Sequence, residues 1–318
     1  MILSILFLLA LLAAHSFVGD TVARIAGIAA LCFWCAFRPS DDRRIKVFFC
    51  SVVMLVMSIA ILFVLGLINQ VSLLKYDLYL HAIDHTLRFC PAQLAVRVIQ
   101  SQAVSRLMIG AYQMLPTMMV AGYGWALFSN SFPNQLLASY FVTAICAALY
   151  LIVPASGPGF LLGGSLAAAH SSPAIGLIPL SYVANCIPSA HLSMAITIWF
   201  FNRSNVIVRR VCLAFIFVTG FTTLALGEHY LIDLVLSFPF ALFVVSSTTG
   251  RYRRAAAAMA CVLLWLNAIR FAIHTLVNHP VWLWVAAAVT IAGSSVYLNM
   301  SPAEQVEHET PMKELVAA

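Results

Sequence analysis

His229 and Asp233 stand four residues apart, so on a helix they share a face and the carboxylate accepts the imidazole Nδ1–H. That contact fixes the tautomer and presents Nε2 as a nucleophile or base. Asp233 falls about one turn into an apolar run, where an unpaired carboxylate is costly, so a partner is nearly obligatory. A purely structural His–Asp bond satisfies the same spacing. A second cluster reads Pro188-Ser189-Ala190-His191 and is followed directly by the apolar run Leu192 to Phe201. Ser189 is a natural N-cap, and His191 falls in the first helical turn, where N–H groups and the helix dipole favour an anion. The plain alternative is an interfacial histidine after a capping serine. If the clusters meet, one histidine supplies a nucleophile and the other a general acid beside an anion-binding helix start. That is the equipment of phosphoryl transfer through a phosphohistidine, a scheme requiring neither metal nor cofactor.

Two further segments carry residues of interest. Asp77, His81, Asp84, His85 and Arg88 recur at helical spacing among Leu78, Leu80, Ile83, Leu87 and Phe89. We read them as the solvated stripe of a helix lying on the membrane surface. A metal site on Asp77, His81, Asp84 and His85 fits the same spacing. The run Val153-Pro154-Ala155-Ser156-Gly157-Pro158-Gly159-Phe160, continued by Gly163-Gly164-Ser165, excludes a regular helix. Its backbone N–H groups are candidates to cradle a phosphate, above all at Gly157 and Gly159; a flexible connection is the alternative.

The elements that position these residues follow from composition. Of 318 residues, 63% are hydrophobic and 9% charged, against roughly 25% charged in a soluble domain. A soluble protein is excluded, and nucleic-acid binding, a disulfide scaffold and a soluble dinucleotide-binding enzyme are improbable. Apolar runs at about 2 to 18, 22 to 37, 46 to 69, 107 to 128, 136 to 154, 190 to 201, 206 to 226, 230 to 249, 255 to 277 and 281 to 299 predict an all-α polytopic membrane protein. No Lys or Arg precedes the first run, so we expect an uncleaved helix rather than a signal peptide. The eight cysteines lie mostly in apolar runs; Cys32 and Cys35 have redox-motif spacing but no soluble context, and we expect packing rather than a disulfide or zinc site.

With alternating helices, Arg38, Arg43, Arg44, Lys46, Arg203, Arg209, Arg210, Arg251, Arg253, Arg254 and Lys313 share one side, eleven of the 17 basic residues. That side is cytoplasmic by the positive-inside rule. His191 and His229 then share the outer face, periplasmic in a bacterium and luminal in a eukaryote.

On these residues the sequence resembles the type-2 phosphatidic acid phosphatase superfamily. Pro188-Ser189-Ala190-His191 matches its Pro-Ser-x-His motif, and His229 with Asp233 matches its His-x-x-x-Asp. The resemblance implies a six-helix core at 46–250, which leaves a helix pair at each end (1–45 and 251–300); the acidic segment 301–318 has no apolar face and reads as a disordered cytoplasmic tail. The resemblance also implies that His229 attacks phosphorus, Asp233 orients it, and His191 protonates the leaving oxygen. Thr222 and Thr223 stand where lipid phosphatases of the family carry Ser-Arg, and 151–158 lacks the basic residues of the first family motif. The sequence is therefore more similar to the inositol phosphorylceramide synthase branch, with His229-Tyr230-x-x-Asp233 retained. Phosphate charge then falls to backbone N–H groups or to outer-side Arg106, Arg97, Arg88 or Lys75; Ser189, Gly157, Gly159, Arg106 and Tyr230 are the candidate substrate contacts.

The expected activity is transfer or hydrolysis of a membrane lipid phosphate, with an alcohol such as inositol or a lipid, or water, as acceptor. A plain lipid phosphate phosphatase is the near alternative. A proton-coupled transporter or flippase is the alternative of a different class, but it expects polar groups through the membrane's depth and related halves.

Overall fold

The computed structural model describes residues 42–162 and 175–300, and there the chain is almost wholly helical. The runs at 2 to 18 and 22 to 37, Cys32 and Cys35, Gly163 to Ser165 and the tail from Ser301 lie outside the described residues.

A long apolar α1 (Asp42–Val71) ends in strand β1 (Leu74–Lys75), which pairs antiparallel with β2 (Ile178–Pro179). Four helices follow: α2 (Asp77–Thr86), α3 (Pro91–Gln100), α4 (Gln102–Tyr112) and α5 (Leu115–Ser129). The run expected as one helix at 107 to 128 is thus two. Pro116 has no N–H for the helical ladder, so a break falls just ahead of it, where α5 opens with proline in its first turn. The run at 136 to 154 is also shorter than expected: α6 (Pro133–Thr143) gives way to a single turn, α7 (Cys146–Leu149). A five-residue α8 (Pro158–Leu162) stands in the segment expected to be irregular.

The last part is regular, with α9 (Ala190–Asn202), α10 (Val206–Ala225), α11 (Leu231–Thr248), α12 (Tyr252–Phe271), α13 (Ile273–Asn278) and α14 (Pro280–Asn299). Among the described residues α10, α11, α12 and α14 are long and apolar enough to cross a membrane, as a bilayer span of about 20 residues requires. The protein is an all-α membrane protein. Helix α11 is apolar all round and lies at the centre, packed against α6, α9, α12 and α14.

Local chemistry fixes where the late helices begin. Asn205 caps α10 by accepting from the N–H groups of Ile207 (2.9 Å) and Val208 (3.1 Å). Ser189 caps α9 through the Leu192 N–H. The starts of α9 and α11 are stitched together: Ser189 N–H donates to the Asp233 carbonyl, and the Ser237 hydroxyl contacts the carbonyls of both Ser189 and Asp233. These bonds set the two histidine clusters at one end of the bundle, above a core that includes Ile187, Tyr230, Ile232, Leu236 and Phe240.

Candidate active site

His229 lies just ahead of Tyr230, the cap residue of α11, and is 2% exposed, and Asp233 in the first turn of that helix is fully buried. Their spacing puts Nδ1 3.3 Å from Asp233 Oδ2. A carboxylate only accepts, so this contact calls for a hydrogen on Nδ1, and in the neutral ring Nε2 then keeps its lone pair. Nε2 lies 3.2 Å from Ser189 Oγ. In that tautomer the Ser189 hydroxyl donates to His229 while its oxygen accepts the Leu192 N–H, and the serine joins the two motifs directly. His191 follows two residues later in the first turn of α9, half-buried, with its ring against Tyr112.

Asp233 Oδ2 also accepts the Tyr230 N–H at 2.8 Å, the helix-start contact expected of an acid in the first turn, and the Cys186 thiol at 2.8 Å. Burial, then the neighbouring carboxylate of Asp233, pushes the Cys186 thiol well up, which keeps it a donor. Cys186 Sγ, a His229 ring nitrogen and an Asp233 oxygen lie within 4.8 Å of one another, a grouping among the described residues that could hold a metal ion only if the thiol gave up its proton.

The expectation of a solvated 77–88 stripe holds for His85 and Arg88, which are exposed, and is overturned for the other three residues. Asp77, His81 and Asp84 face protein, not water, at 0%, 2% and 0% exposure. Asp77 Oδ1 accepts the Gly157 N–H (2.9 Å), the Ser156 N–H (3.1 Å) and the Tyr230 hydroxyl (2.9 Å). Asp84 accepts the Leu231 N–H at 3.1 and 3.2 Å. The two carboxylates therefore clamp the start of α11, where unsatisfied N–H groups and the dipole attract negative charge. Burial pushes the Asp77 carboxyl up to about 6 against the opposing pull of these donors, and the Asp84 carboxyl well up. With their oxygens so engaged, Asp77 and Asp84 do not form the metal site allowed by their spacing with His81 and His85.

The glycine N–H groups expected to await a phosphate are also taken. That of Gly157 goes to Asp77, and that of Gly159 to the Gly227 carbonyl at 2.9 Å. These glycines instead permit close approach of two backbones. A Cβ on Gly157, where φ is +110°, would lie 2.6 Å from the Glu228 carbonyl oxygen, and one on Gly227 would lie 2.8 Å from Gly159 Cα. Tyr230, expected as a substrate contact, is fully buried with its hydroxyl on Asp77.

Among the outer-side basic residues, Arg106 lies exposed on α4 and no described hydrogen bond or ion pair joins it to the histidines. Lys75 is fully buried and donates to Asn69 Oδ1 at 2.9 Å. Sequence reasoning missed Cys186, Tyr112 and the clamping role of Asp77 and Asp84. The position of Cys186 three residues ahead of Ser189 was its only local signal.

The protein so far is a helical membrane protein with a His–Asp pair and a second histidine at one end of its bundle. A family model described as the PAP2 superfamily matches residues 78–246, more than half of the chain, and the chain belongs to that superfamily. The match begins within α2 just after Asp77, takes in Asp84 and both histidine motifs, and ends two residues short of the end of α11. No curated protein and no solved structure matches the chain. Membership places it with the membrane phosphatases and phosphotransferases that act on lipid phosphates.

Proposed function

We propose that the protein transfers the phosphorus-bearing head group of a membrane lipid through a covalent phosphohistidine on His229. The observation that carries this is the pair of contacts on that ring: Nδ1 lies 3.3 Å from an Asp233 carboxylate oxygen, and Nε2 lies 3.2 Å from the Ser189 hydroxyl that opens the other histidine motif. In the first step Nε2 attacks phosphorus, the phosphorus–oxygen ester bond breaks, and His191 delivers a proton to the departing oxygen. In the second, His191 takes a proton from the acceptor hydroxyl, whose oxygen attacks phosphorus and releases the His229 nitrogen. Asp233 balances the positive charge on the phosphorylated imidazole, and the start of α9 favours the anion.

Transfer to an alcohol, such as inositol or a lipid hydroxyl, is favoured over hydrolysis by the residues at 222 and 223. Both threonines are buried, and their hydroxyls donate to backbone carbonyls of their own helix, at 2.8 Å to Val218 and 2.9 Å to Gly220. They present no cation to an extra phosphate charge, unlike the Ser-Arg of the phosphatases. The active end faces the outer leaflet by the basic-residue asymmetry, and the scheme needs no metal.

The test is incubation of purified protein with phospholipids, with and without inositol and a chelator, followed by mass spectrometry of products and of an acid-labile phosphate on His229. We expect turnover that survives chelation and vanishes in His229→Ala. Full activity of that variant would reject the mechanism.

A further inference from the structure

The two imidazoles of the site differ in what holds their Nδ1 atoms. His229 leans on a carboxylate. His191 Nδ1 lies 3.3 Å from the hydroxyl of Tyr112, and the two rings are stacked, with centroids 4.1 Å apart and planes 18° from parallel. Tyr112 is the last residue of α4, a helix that packs against α10 and is separated from α5 by only Gln113 and Met114. The break ahead of Pro116 is therefore what brings a phenol from 79 residues away onto the second histidine.

We propose that Tyr112 is a positioning residue for His191, setting its Nδ1–H tautomer so that Nε2 carries the transferable proton. The inference rests on the phosphotransfer reading above. A phenol oxygen accepts the Nδ1–H both when His191 is an imidazolium and when it is neutral. The ring thus keeps one orientation while its Nε2 proton goes to the leaving oxygen and is later regained from the acceptor hydroxyl, and no other proton need move.

The choice of partner matters to the chemistry. A carboxylate stabilises a cationic ring, which suits His229 because bonding phosphorus leaves its imidazole positive. The same partner on His191 would hold back the proton it must release. A neutral hydroxyl orients the ring without that penalty, and the stacked face restricts its rotation. The phenol thus gives His191 an orienting contact suited to an acid, a role the sequence motifs assign only by resemblance.

Tyr112→Phe tests this, since it keeps the stack and removes the oxygen. Histidine-selective 15N labelling, with the His191 signals identified by their loss in His191→Gln, reads the tautomer without reference to activity. We expect the Nδ1–H form in the parent protein and a shift toward Nε2–H in Tyr112→Phe. Turnover of a natural phospholipid should fall roughly 10- to 100-fold in kcat, part of the 10²- to 10⁴-fold that acid–base catalysis supplies, with KM nearly unchanged. A long-chain alkyl nitrophenyl phosphate, whose leaving group needs no proton, should lose about threefold or less on the same scale.

An Nε2–H tautomer in the parent protein, an unchanged tautomer in Tyr112→Phe, or equal losses on the two substrates would overturn the proposal. Absence of turnover by the parent protein on both substrates would refute the phosphotransfer reading, while the labelling result would still decide the link between Tyr112 and His191.

Discussion

Replacing Gly157 by Ala is the sharpest perturbation of the site that leaves every ionisable group in place. The new Cβ would lie 2.6 Å from the Glu228 carbonyl oxygen and 2.7 Å from that of Gly227, at a φ of +110° that side chains rarely adopt. The backbone conformation costs about 1–3 kcal/mol. Separating the two carbonyls from the methyl adds about 1–3 kcal/mol, as overpacking does elsewhere. The sum is about 2–6 kcal/mol, a fall in unfolding midpoint on the order of 5–15 °C. Because the displaced carbonyls immediately precede His229, turnover should drop by roughly 100-fold, the scale of a displacement of about 1 Å at a reacting group. Gly159→Ala, whose Cβ would meet the Gly227 and Leu226 carbonyls at 3.2 Å, should behave as a milder copy. Gly293→Ala in α14, with nothing within 4 Å, is the neutral control. The assay is thermal unfolding in detergent without substrate, followed by lipid turnover. If Gly157 served to cradle phosphate, its substitution would raise KM and leave the midpoint alone; that result would refute the packing argument.

Three further outcomes follow from the carboxylates and the thiol. Asp77→Asn retains one oxygen able to accept from Gly157, Ser156 and Tyr230, whereas Asp77→Ala strands all three donors, so the alanine variant should be less stable by about 2–4 kcal/mol. Burial holds the Asp77 carboxyl up at about 6. Its contribution to stability is therefore full below an ordinary carboxylate value of about 4 and is lost as pH rises through 6. The midpoint of the parent protein should fall relative to Asp77→Asn between those pH values, and a gap independent of pH would contradict the assignment. Asp84→Ala should cost about 1–3 kcal/mol by leaving the Leu231 N–H unanswered at the start of α11, with Asp84→Asn intermediate; equal midpoints would remove the clamp. Cys186→Ser keeps a donor toward Asp233 Oδ2 and should retain most of kcat, while Cys186→Ala should lose roughly 10-fold if a lost hydrogen bond of about 1.4 kcal/mol is felt at the His–Asp pair; identical kcat in the two would show the thiol to be packing alone.

What could be read from the sequence was whatever depends on short intervals along the chain. The His229–Asp233 contact, the cap at Ser189 and the broad pattern of apolar helices are consequences of i, i+3 and i, i+4 geometry or of composition, and the structure has them. The resemblance through the same residues led to the superfamily to which the chain belongs. What was misread depends on which surface meets which. Helical spacing shows that Asp77, His81 and Asp84 share a face, but it is the same whether that face meets water or another helix. In a chain so poor in charge, the more discriminating question was what buried donors such a face could serve. The start of α11 supplies a rich set: the Leu231 N–H, the Tyr230 hydroxyl on its cap and the turn at Ser156 and Gly157 beside it. The glycines show the same limit from the other side, since free N–H groups and N–H groups pressed against another backbone have identical sequences. Hence the His229–Asp233 pair was visible locally, whereas the parts packed around the two histidines, α2, the Gly157–Gly227 contact and the phenol of Tyr112, are joined to them only through tertiary packing. If the proposed chemistry is right, variation in those remote residues should alter rate while the two motifs stay constant.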